Sequence, residues 1–279
     1  MTRRSGPVGT WVPSCRTTAP CRATSSRSRR PGAQDPGVSP GPPAAVCLET
    51  HIKTSEILSA TGIDLFYGRS HAVRGATIAL RRGEAVAITG QSGSGKSSLL
   101  YCLAGVLPVT SGQVRFEGRT LGALDDDRLS ALRRDRFGFV FQYGELLPEL
   151  TVEENTALPL RLAGQRKRKA LAAAGEVLER LGLGDLRGRR PSEVSGGQSQ
   201  RVAVARALVH RPAVVFADEP TGSLDSANAA TVLDEFLGLA RSQGTAVVLV
   251  THDPKVAARA DRHYTMCDGS LLVREQEAS

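Results

Sequence analysis

The 279 residues of this chain, 41% of them apolar, suffice for one large hydrophobic core or two modest ones. No apolar run approaches the roughly 18 residues that a membrane-spanning helix needs, so a role at a membrane requires a partner. The formal net charge of +8 suggests nucleic acid, but seven arginines against Asp35 and Glu49 in residues 1–50 account for most of it, which argues against a nucleic-acid partner.

The first segment, residues 1–52, has the composition of a disordered extension. It is rich in Arg, Pro and Ser, has no amphipathic period, and lacks the apolar centre of a secretory signal. Three of the five cysteines lie in this segment, the other two have apolar or strand-like surroundings, and no pair has zinc-ligand spacing, so we infer a reducing compartment and no metal-thiolate site. We therefore predict a disordered segment over residues 1–52 and a folded domain over 53–279. A basic targeting or membrane-surface arm and a misplaced start remain alternatives for the first segment.

The folded part begins with two short β-type patterns, GIDLFYG and GATIALRRGE, that have glycine at their joints. A strand at 85–89 (AVAIT) then runs directly into the glycine-rich loop GQSGSGKSS, and SSLLYCLAGVL after the loop predicts a helix ending near Pro108. Further strands are predicted at 113–118, 138–142, 213–219, 246–252 and 263–273. Helical periods separate them, so we predict a doubly wound α/β fold with a mostly parallel core and an N-terminal antiparallel part.

Residues from about 143 to 194 have a helix-forming pattern, unlike the strands around them, and predict an inserted helical subdomain. In RKRKALAAAGEVLERLGL, the side chains of Leu171, Ala174, Leu178 and Leu181 fall on one helical face. The RKRK run at 166–169 is interpreted as the solvated first turn of that helix rather than as a nucleic-acid patch.

The loop after the strand at 85–89 matches the phosphate-binding pattern G-x-x-x-x-G-K-S. Glycines allow the backbone to turn its N–H groups inward around phosphates, where a Cβ would obstruct the approach. Lys96 would neutralise β- and γ-phosphate charge, and Ser97 would offer its hydroxyl to Mg²⁺. The predicted phosphate-binding residues are Gly90, Gln91, Ser92, Gly93, Ser94, Gly95, Lys96, Ser97 and Ser98.

An acidic pair follows the predicted strand in VVFADE. The strand delivers Asp218 and Glu219 to its C-terminal edge, the side on which α/β sheets bind ligands. Asp218 would complete the Mg²⁺ shell, and Glu219 would accept a proton from the water that attacks the γ-phosphate.

A second anion-binding helix end is predicted at VSGGQSQRVAVARAL. Ser195 is a good N-cap, and Gly196 and Gly197, followed by Gln198, leave backbone N–H groups uncovered. One nucleotide does not need two such helix ends from one subunit. We therefore predict a head-to-tail pair in which the loop of one subunit faces the Ser195–Gln198 turn of a second copy, or of a related ATPase, across ATP.

With these motifs in order, the chain resembles an ATP-binding subunit of an ABC transporter over about residues 56–272. The resemblance implies that Gln142 links Mg²⁺ and the attacking water to the helical subdomain, and that His252 senses the γ-phosphate. It also implies that Asp225 contacts the opposing site and that Tyr67 stacks on adenine. The candidate catalytic residues are thus Glu219, His252, Gln142 and Lys96, and the candidate metal ligands are Ser97, Gln142 and Asp218.

Two stretches, at 137–160 and 219–226, resemble the lipoprotein-release and macrolide-export branch of the family. This implies an ATPase at the cytoplasmic face of the cell membrane, held there by a separate permease subunit. An ATPase that regulates a membrane-bound cell-wall hydrolase or sensor remains an alternative. A soluble ATPase acting on DNA or ribosomes normally has a coiled-coil insertion or two fused halves, and the sequence has neither.

The permease contact is predicted on residues 143–159, which follow Gln142. This segment combines the apolar LLPEL with acidic side chains expected to be exposed: Glu145, Glu149, Glu153 and Glu154.

Overall fold

A computed structural model describes residues 56–222 and 226–274. Its strands are β1 (Glu56–Tyr67), β2 (Ser70–Arg81), β3 (Ala85–Thr89), β4 (Ser111–Phe116), β5 (Arg119–Thr120), β6 (Phe137–Val140), β7 (Val214–Asp218), β8 (Ala246–Val250), β9 (Arg262–Cys267) and β10 (Ser270–Arg274). Its helices are α1 (Lys96–Leu103), α2 (Asp126–Arg136), α3 (Val152–Leu162), α4 (Lys167–Arg180), α5 (Gly196–Leu208), α6 (Ser226–Gln243) and α7 (Pro254–Ala257). Within these two stretches, no helix combines the length and apolar character needed to cross a membrane. The predicted disordered segment, 1–52, and Asp225 lie outside the described residues.

The strands form one continuous series in the order β5-β4-β1-β2-β10-β9-β3-β8-β7-β6. Neighbouring strands pair in parallel from β9 through β6, whereas β1, β2, β4 and β5 pair antiparallel. The predicted α/β architecture, with its parallel core and N-terminal antiparallel part, is confirmed. The parallel part matters for function, because the carboxyl ends of all its strands meet at one edge.

Helices or strands cover both faces of the parallel sheet, and this explains its uninterrupted apolar sequences. Val215 and Leu249 point into a core shared with α5 and α6, while Phe216 and Val248 point into the opposite core with α1 and β1. All four side chains are buried. Each such burial contributes about 1.5–3 kcal/mol, which favours strands buried on both sides over alternating ones.

The first two strands are longer than predicted, and the prediction of short strands ending at glycines was wrong. Both β1 and β2 span 12 residues and continue through Gly62 (φ 56°) and Gly75 (φ 54°). The pairing register shifts beside each glycine, once with an extra residue on β1 and once with an extra residue on β2. Glycine here permits a bulge within a strand rather than a turn between strands.

Two tight turns shorten elements that were predicted to be longer. The first helix ends at Leu103, not near Pro108, because Gly105 adopts a left-handed conformation (φ 62°) and Val106 N–H donates back to the Tyr101 carbonyl. The predicted strand at 263–273 is a hairpin of β9 and β10. Its turn, Asp268–Gly269, has φ values of 46° and 83°, as a two-residue hairpin requires.

The inserted helical part consists of α3 and α4, which pack on α5. The inward face of α4 is formed by Ala170, Ala174 and Leu178, whereas Leu171, predicted to be on it, is only partly buried. The side chains of residues 166–169 are exposed, and Lys167 Nζ lies 3.2 Å from Glu154 Oε1. The helical insertion is confirmed, and the interpretation of the RKRK run as a solvated first turn agrees with this exposure.

Candidate active site

The glycine-rich loop joins β3 to α1 with a backbone that other residues cannot adopt. Gly93 and Gly95 have φ values of 80° and 101°. A Cβ on Gly90 would lie 2.3 Å from the Met266 carbonyl oxygen, and one on Gly95 would lie 2.2 Å from that of Ala72. The glycines therefore bring this loop against β2 and β9 while leaving its N–H groups uncovered by side chains.

Inside the loop, cationic and hydroxyl groups lie close to the backbone. Lys96 is buried, and its Nζ donates to the carbonyls of Gly90 (2.9 Å) and Gln91 (2.8 Å). Ser94 Oγ is also buried, and it has no hydrogen-bond partner among the described residues. A buried ammonium and an unpaired hydroxyl in a concave loop are suited to a phosphate group, which supplies the missing acceptor oxygens.

Asp218 ends β7 and is bonded to two side chains of α1. Ser97 Oγ donates to Oδ1 at 3.1 Å, and the Tyr101 hydroxyl donates to Oδ2 at 3.2 Å. Burial, and then the charge of Asp218, raises the pKa of Tyr101 to about 12, so its hydroxyl keeps its proton. Tyr101 was missed by the sequence predictions. The available signal was its spacing of four residues from Ser97, which places both side chains on one helical face.

Glu219 and His252 meet just beyond the ends of β7 and β8. Glu219 has φ 48°, and its N–H donates to the Val250 carbonyl at 2.9 Å. Its Oε1 lies 2.9 Å from His252 Nδ1. A left-handed non-glycine residue costs about 1–3 kcal/mol, and such strain is found at sites where side-chain direction matters. A carboxylate beside an imidazole can accept and hold a proton from a water molecule.

Gln142 follows β6 by two residues and lies beside the loop that contains Glu219. A Cβ on Gly222 would lie 3.0 Å from Gln142 Nε2, so the amide lies close to the Gly222 backbone. Gln200 of α5 holds the neighbouring backbone by donating to the Phe141 carbonyl at 3.0 Å. The structure thus brings Gln142 to the same sheet edge as Asp218 and Glu219.

A cleft of about 630 Å³ lies between the loop and the antiparallel strands, a volume suited to a small-molecule ligand. The Tyr67 ring lines it, is 52% exposed, and has its hydroxyl 3.5 Å from Ser98 Oγ. An exposed aromatic ring beside a phosphate-type loop suits a planar base. Further lining residues that the sequence did not indicate are Ser70, His71, Ala72, Arg74, Asp268 and Gly269.

The Ser195–Gln198 turn is well formed but separate from this cleft. Ser195 caps α5, accepting from Gln198 N–H at 3.3 Å, and Ser195 N–H donates to Gln198 Oε1 at 2.8 Å. Gly196 is exposed. None of the hydrogen bonds or ion pairs between described residues joins this turn to the glycine-rich loop. The predicted role of Asp225 falls in the short gap between the two described stretches.

The chain is similar in sequence to known proteins. Residues 73–222 match the family model described as ABC transporter. The chain is 44% identical over 199 residues to the lipoprotein-releasing system ATP-binding protein LolD 1 of Rhodospirillum rubrum, covering 71% of this chain and 88% of that protein. It is 43% identical over 218 residues to LolD of Aquifex aeolicus, covering 78% and 97%.

Solved structures agree in fold. The dimeric post-hydrolysis structure of the ATP-binding cassette MJ0796 bound to ADP and Pi matches with a TM-score of 0.72 and 34% identity, covering 80% of this chain and 99% of that chain. The structure of cbiO1 from Clostridium perfringens, part of the ABC transporter complex cbiONQ, matches with a TM-score of 0.72 and 26% identity, covering 78% and 88%. The chain therefore belongs to the ABC transporter family, as one of its ATP-binding and ATP-hydrolysing cassettes.

Proposed function

We propose that this chain is the ATPase subunit that powers a separate membrane permease of the lipoprotein-release type, or of a related peptide or drug exporter. It works at the cytoplasmic face of the membrane, where the permease holds it. The observation that carries the hydrolytic part is the link from Ser97 to Asp218 beside the Glu219–His252 pair at one sheet edge. The names of the relatives in lipoprotein-releasing systems support the transport part.

In this proposal, the side chains of the cleft and of the sheet edge act on ATP or on the attacking water. Tyr67 stacks on the adenine, and Lys96 exchanges its loop carbonyl acceptors for phosphate oxygens. Glu219 accepts the proton of the attacking water, while His252 stabilises its carboxylate and contacts the γ-phosphate. Gln142 orients the water from the side of the helical insertion.

The side chains around Asp218 fit Mg²⁺. The donors are hard oxygens: the Ser97 hydroxyl 3.1 Å from an Asp218 carboxylate oxygen, and the side-chain amide oxygen of Gln142, whose Nε2 lies beside the Gly222 backbone at the same sheet edge. Ser97 and Gln142 would hold the ion directly, with Asp218 binding it directly or through water. When bound, Mg²⁺ supplies charge neutralisation on the β- and γ-phosphates.

A second copy of the chain, or a related ATPase, completes the site. The exposed Gly196 and the capped N-terminus of α5 offer N–H groups to an anion, yet nothing within the described part of the chain connects them to the phosphate loop. In a head-to-tail dimer, the N-terminus of α5 in one subunit and the phosphate loop of the other would bind the same ATP. The structure of MJ0796, which is dimeric and bound to ADP and Pi, supports the dimer itself.

The permease surface is an open groove of about 680 Å³ between the helical insertion and β6. Its wall is largely apolar, and exposed leucine and valine side chains line it, with Leu162 63% and Val106 48% accessible. Three arginines lie around it: Arg133, Arg134 and Arg206. The occupant we propose is an amphipathic cytoplasmic segment of the permease whose apolar face fills the groove. The arginines are already bonded to Asp135 and to backbone carbonyls, so they contribute a positive rim rather than direct partners for its carboxylates.

This groove changes the interface predicted on residues 143–159. Leu158, Pro159 and Glu145 belong to its lining. Glu153, however, is mostly buried against Arg187, and Glu154 closes the capping box of α3, so these two acidic side chains serve the fold. The expectation that both are exposed holds only in part: their side chains are 20% and 34% accessible, because helix capping and an ion pair within the subdomain use their charges.

Reconstitution with the membrane protein encoded beside this chain tests the proposal. That protein is expected to have four transmembrane helices around a large extracytoplasmic segment. Proteoliposomes containing both proteins should hydrolyse ATP faster than the chain alone and should release a lipid-anchored reporter protein only with ATP. Stimulated hydrolysis without release, together with changed cell-wall hydrolase activity, would favour a regulatory role. A rate of ATP hydrolysis that is the same with and without the membrane protein would contradict the proposal.

A further inference from the structure

Tyr101 is a described residue with one side at the groove and the other at the nucleotide site. Its ring lines the groove together with Phe139 and Val106. Its hydroxyl donates to Asp218 Oδ2 at 3.2 Å. No other groove-lining residue in the described stretches is hydrogen-bonded to Asp218.

The two bonds from α1 fix both oxygens of the Asp218 carboxylate. Ser97 is bonded to Oδ1 and Tyr101 to Oδ2, and the two donors are one helical turn apart. A carboxylate with a donor on each oxygen has one preferred rotation about its Cβ–Cγ bond. With the Tyr101 donor removed, Oδ2 loses its side-chain partner and the Ser97 bond alone does not fix that rotation.

We propose that Tyr101 is a positioning residue for Asp218: its hydroxyl holds the carboxylate in the orientation that presents Oδ1 beside Ser97. The inference rests on the proposed Mg²⁺ site, since that orientation matters for the ion. Partners of this kind, which orient a ligand without touching the metal, typically change metal affinity by 10- to 100-fold when they are removed. Tyr101 does not touch ATP in this proposal, so nucleotide binding without metal does not depend on it.

The test compares Tyr101→Phe with wild type and with Tyr264→Phe. Phenylalanine keeps the ring in the groove wall and removes only the hydroxyl. Tyr264 is the matched control because its buried hydroxyl accepts from Arg262 Nη1 at 3.1 Å, away from the nucleotide cleft. Dissociation constants for a fluorescent ATP analogue are measured in excess EDTA and in saturating Mg²⁺. The EDTA value divided by the Mg²⁺ value gives the factor by which the metal increases nucleotide affinity.

In Tyr101→Phe we expect this ratio to fall by about tenfold, with EDTA affinity unchanged. Electron paramagnetic resonance of Mn²⁺ added with ATP should show an altered spectrum for this variant and the wild-type spectrum for Tyr264→Phe. An unchanged ratio, or equal losses with and without metal, would overturn the inference, the second outcome assigning Tyr101 to the packing of α1. If the affinity of the wild type for the ATP analogue is the same with and without Mg²⁺, the proposed metal site is wrong, and so is the proposed role of Tyr101.

Discussion

The position of the Glu219 carboxylate depends on both its backbone conformation and its side-chain contact. Its left-handed backbone is held by the N–H bond to the Val250 carbonyl, and its carboxylate by the contact with His252. The strain of about 1–3 kcal/mol is offset by the packing of β7 and β8, which are buried on both faces. The backbone conformation and the contact with His252 together set the direction of the carboxylate.

For Tyr67 we expect the ring face to carry the interaction with ATP. Tyr67→Ala should weaken ATP binding by about 1 kcal/mol or more, while Tyr67→Trp should be tolerated, because stacking does not need the hydroxyl. Titration with a fluorescent nucleotide measures the affinity, and thermal unfolding serves as the control. Equal loss of stability in both variants, with no selective effect on affinity, would assign Tyr67 to the fold instead.

Asp64 gives the protein a pH-dependent contribution at acid pH. Hydrogen bonds from Ser111, from the Gly75 N–H and from His71 lower the pKa of its carboxyl to about 2. A folded-state pKa below the ordinary value means that the unfolded chain binds the proton more tightly. The contribution is therefore present above about pH 4 and is lost as pH falls towards about 2.

Urea unfolding across that interval tests this. The wild type should lose stability more steeply than Asp64→Asn, whereas Asp127→Asn, at an exposed position on α2, should follow the wild type. Parallel curves for wild type and Asp64→Asn would show that the Asp64 network does not contribute.

Among the elements, α5 connects the two halves of the proposed dimer site. Its N-terminus carries the Ser195 cap, and its body holds the segment after β6. Gln200 donates to the Phe141 carbonyl, and Arg206 donates to the carbonyls of Gly144 (2.7 Å) and Glu145 (2.8 Å). The segment that contains Gln142 is thus bonded to the helix whose start faces the partner in our proposal.

At the element scale, the groove beside α3 should determine permease binding. Leu162→Asp places a charge in the apolar wall and should weaken association with permease proteoliposomes by about tenfold or more. Leu272→Asp is the control, because Leu272 is similarly exposed (56%) but lies on β10 outside the groove. Both variants should keep wild-type stability and basal hydrolysis. Equal binding by Leu162→Asp and wild type would place the interface elsewhere.

For the whole molecule, the exposed Ser195 turn and the phosphate loop are surfaces of one subunit that a second subunit can join. In the proposed dimer, ATP between them would add the interactions of both surfaces, so that nucleotide binding and subunit association would be linked. Under the same proposal, hydrolysis would remove the bridging γ-phosphate and weaken the dimer.

This linkage predicts opposite effects of two substitutions. Glu219→Gln removes the proton acceptor while keeping shape, so hydrolysis should slow by about 10²-fold or more while ATP binding persists. With ATP it should elute as a stable dimer in size-exclusion chromatography. Lys96→Ala loses the charge that holds the phosphates and should stay monomeric. Turnover near the wild-type rate would remove Glu219 from the chemistry, and a monomeric Glu219→Gln protein at saturating ATP would remove the shared-site geometry.

The sequence by itself determined the parallel core, the phosphate loop, the acidic pair and the capped turn at Ser195. Each depends on short-range features, such as apolar runs, glycines at fixed offsets or a cap before a helix, and these act over a few residues. Only the tertiary structure decided that Tyr101 bonds Asp218, 117 residues away, that Gly62 and Gly75 form bulges, and that Glu153 pairs with Arg187. Those contacts depend on how α1 packs against β7, how β1 pairs with β2, and how α3 lies against the segment after α4. Periodicity defines which face of an element is buried, but the partner that covers that face is selected only when the whole chain packs.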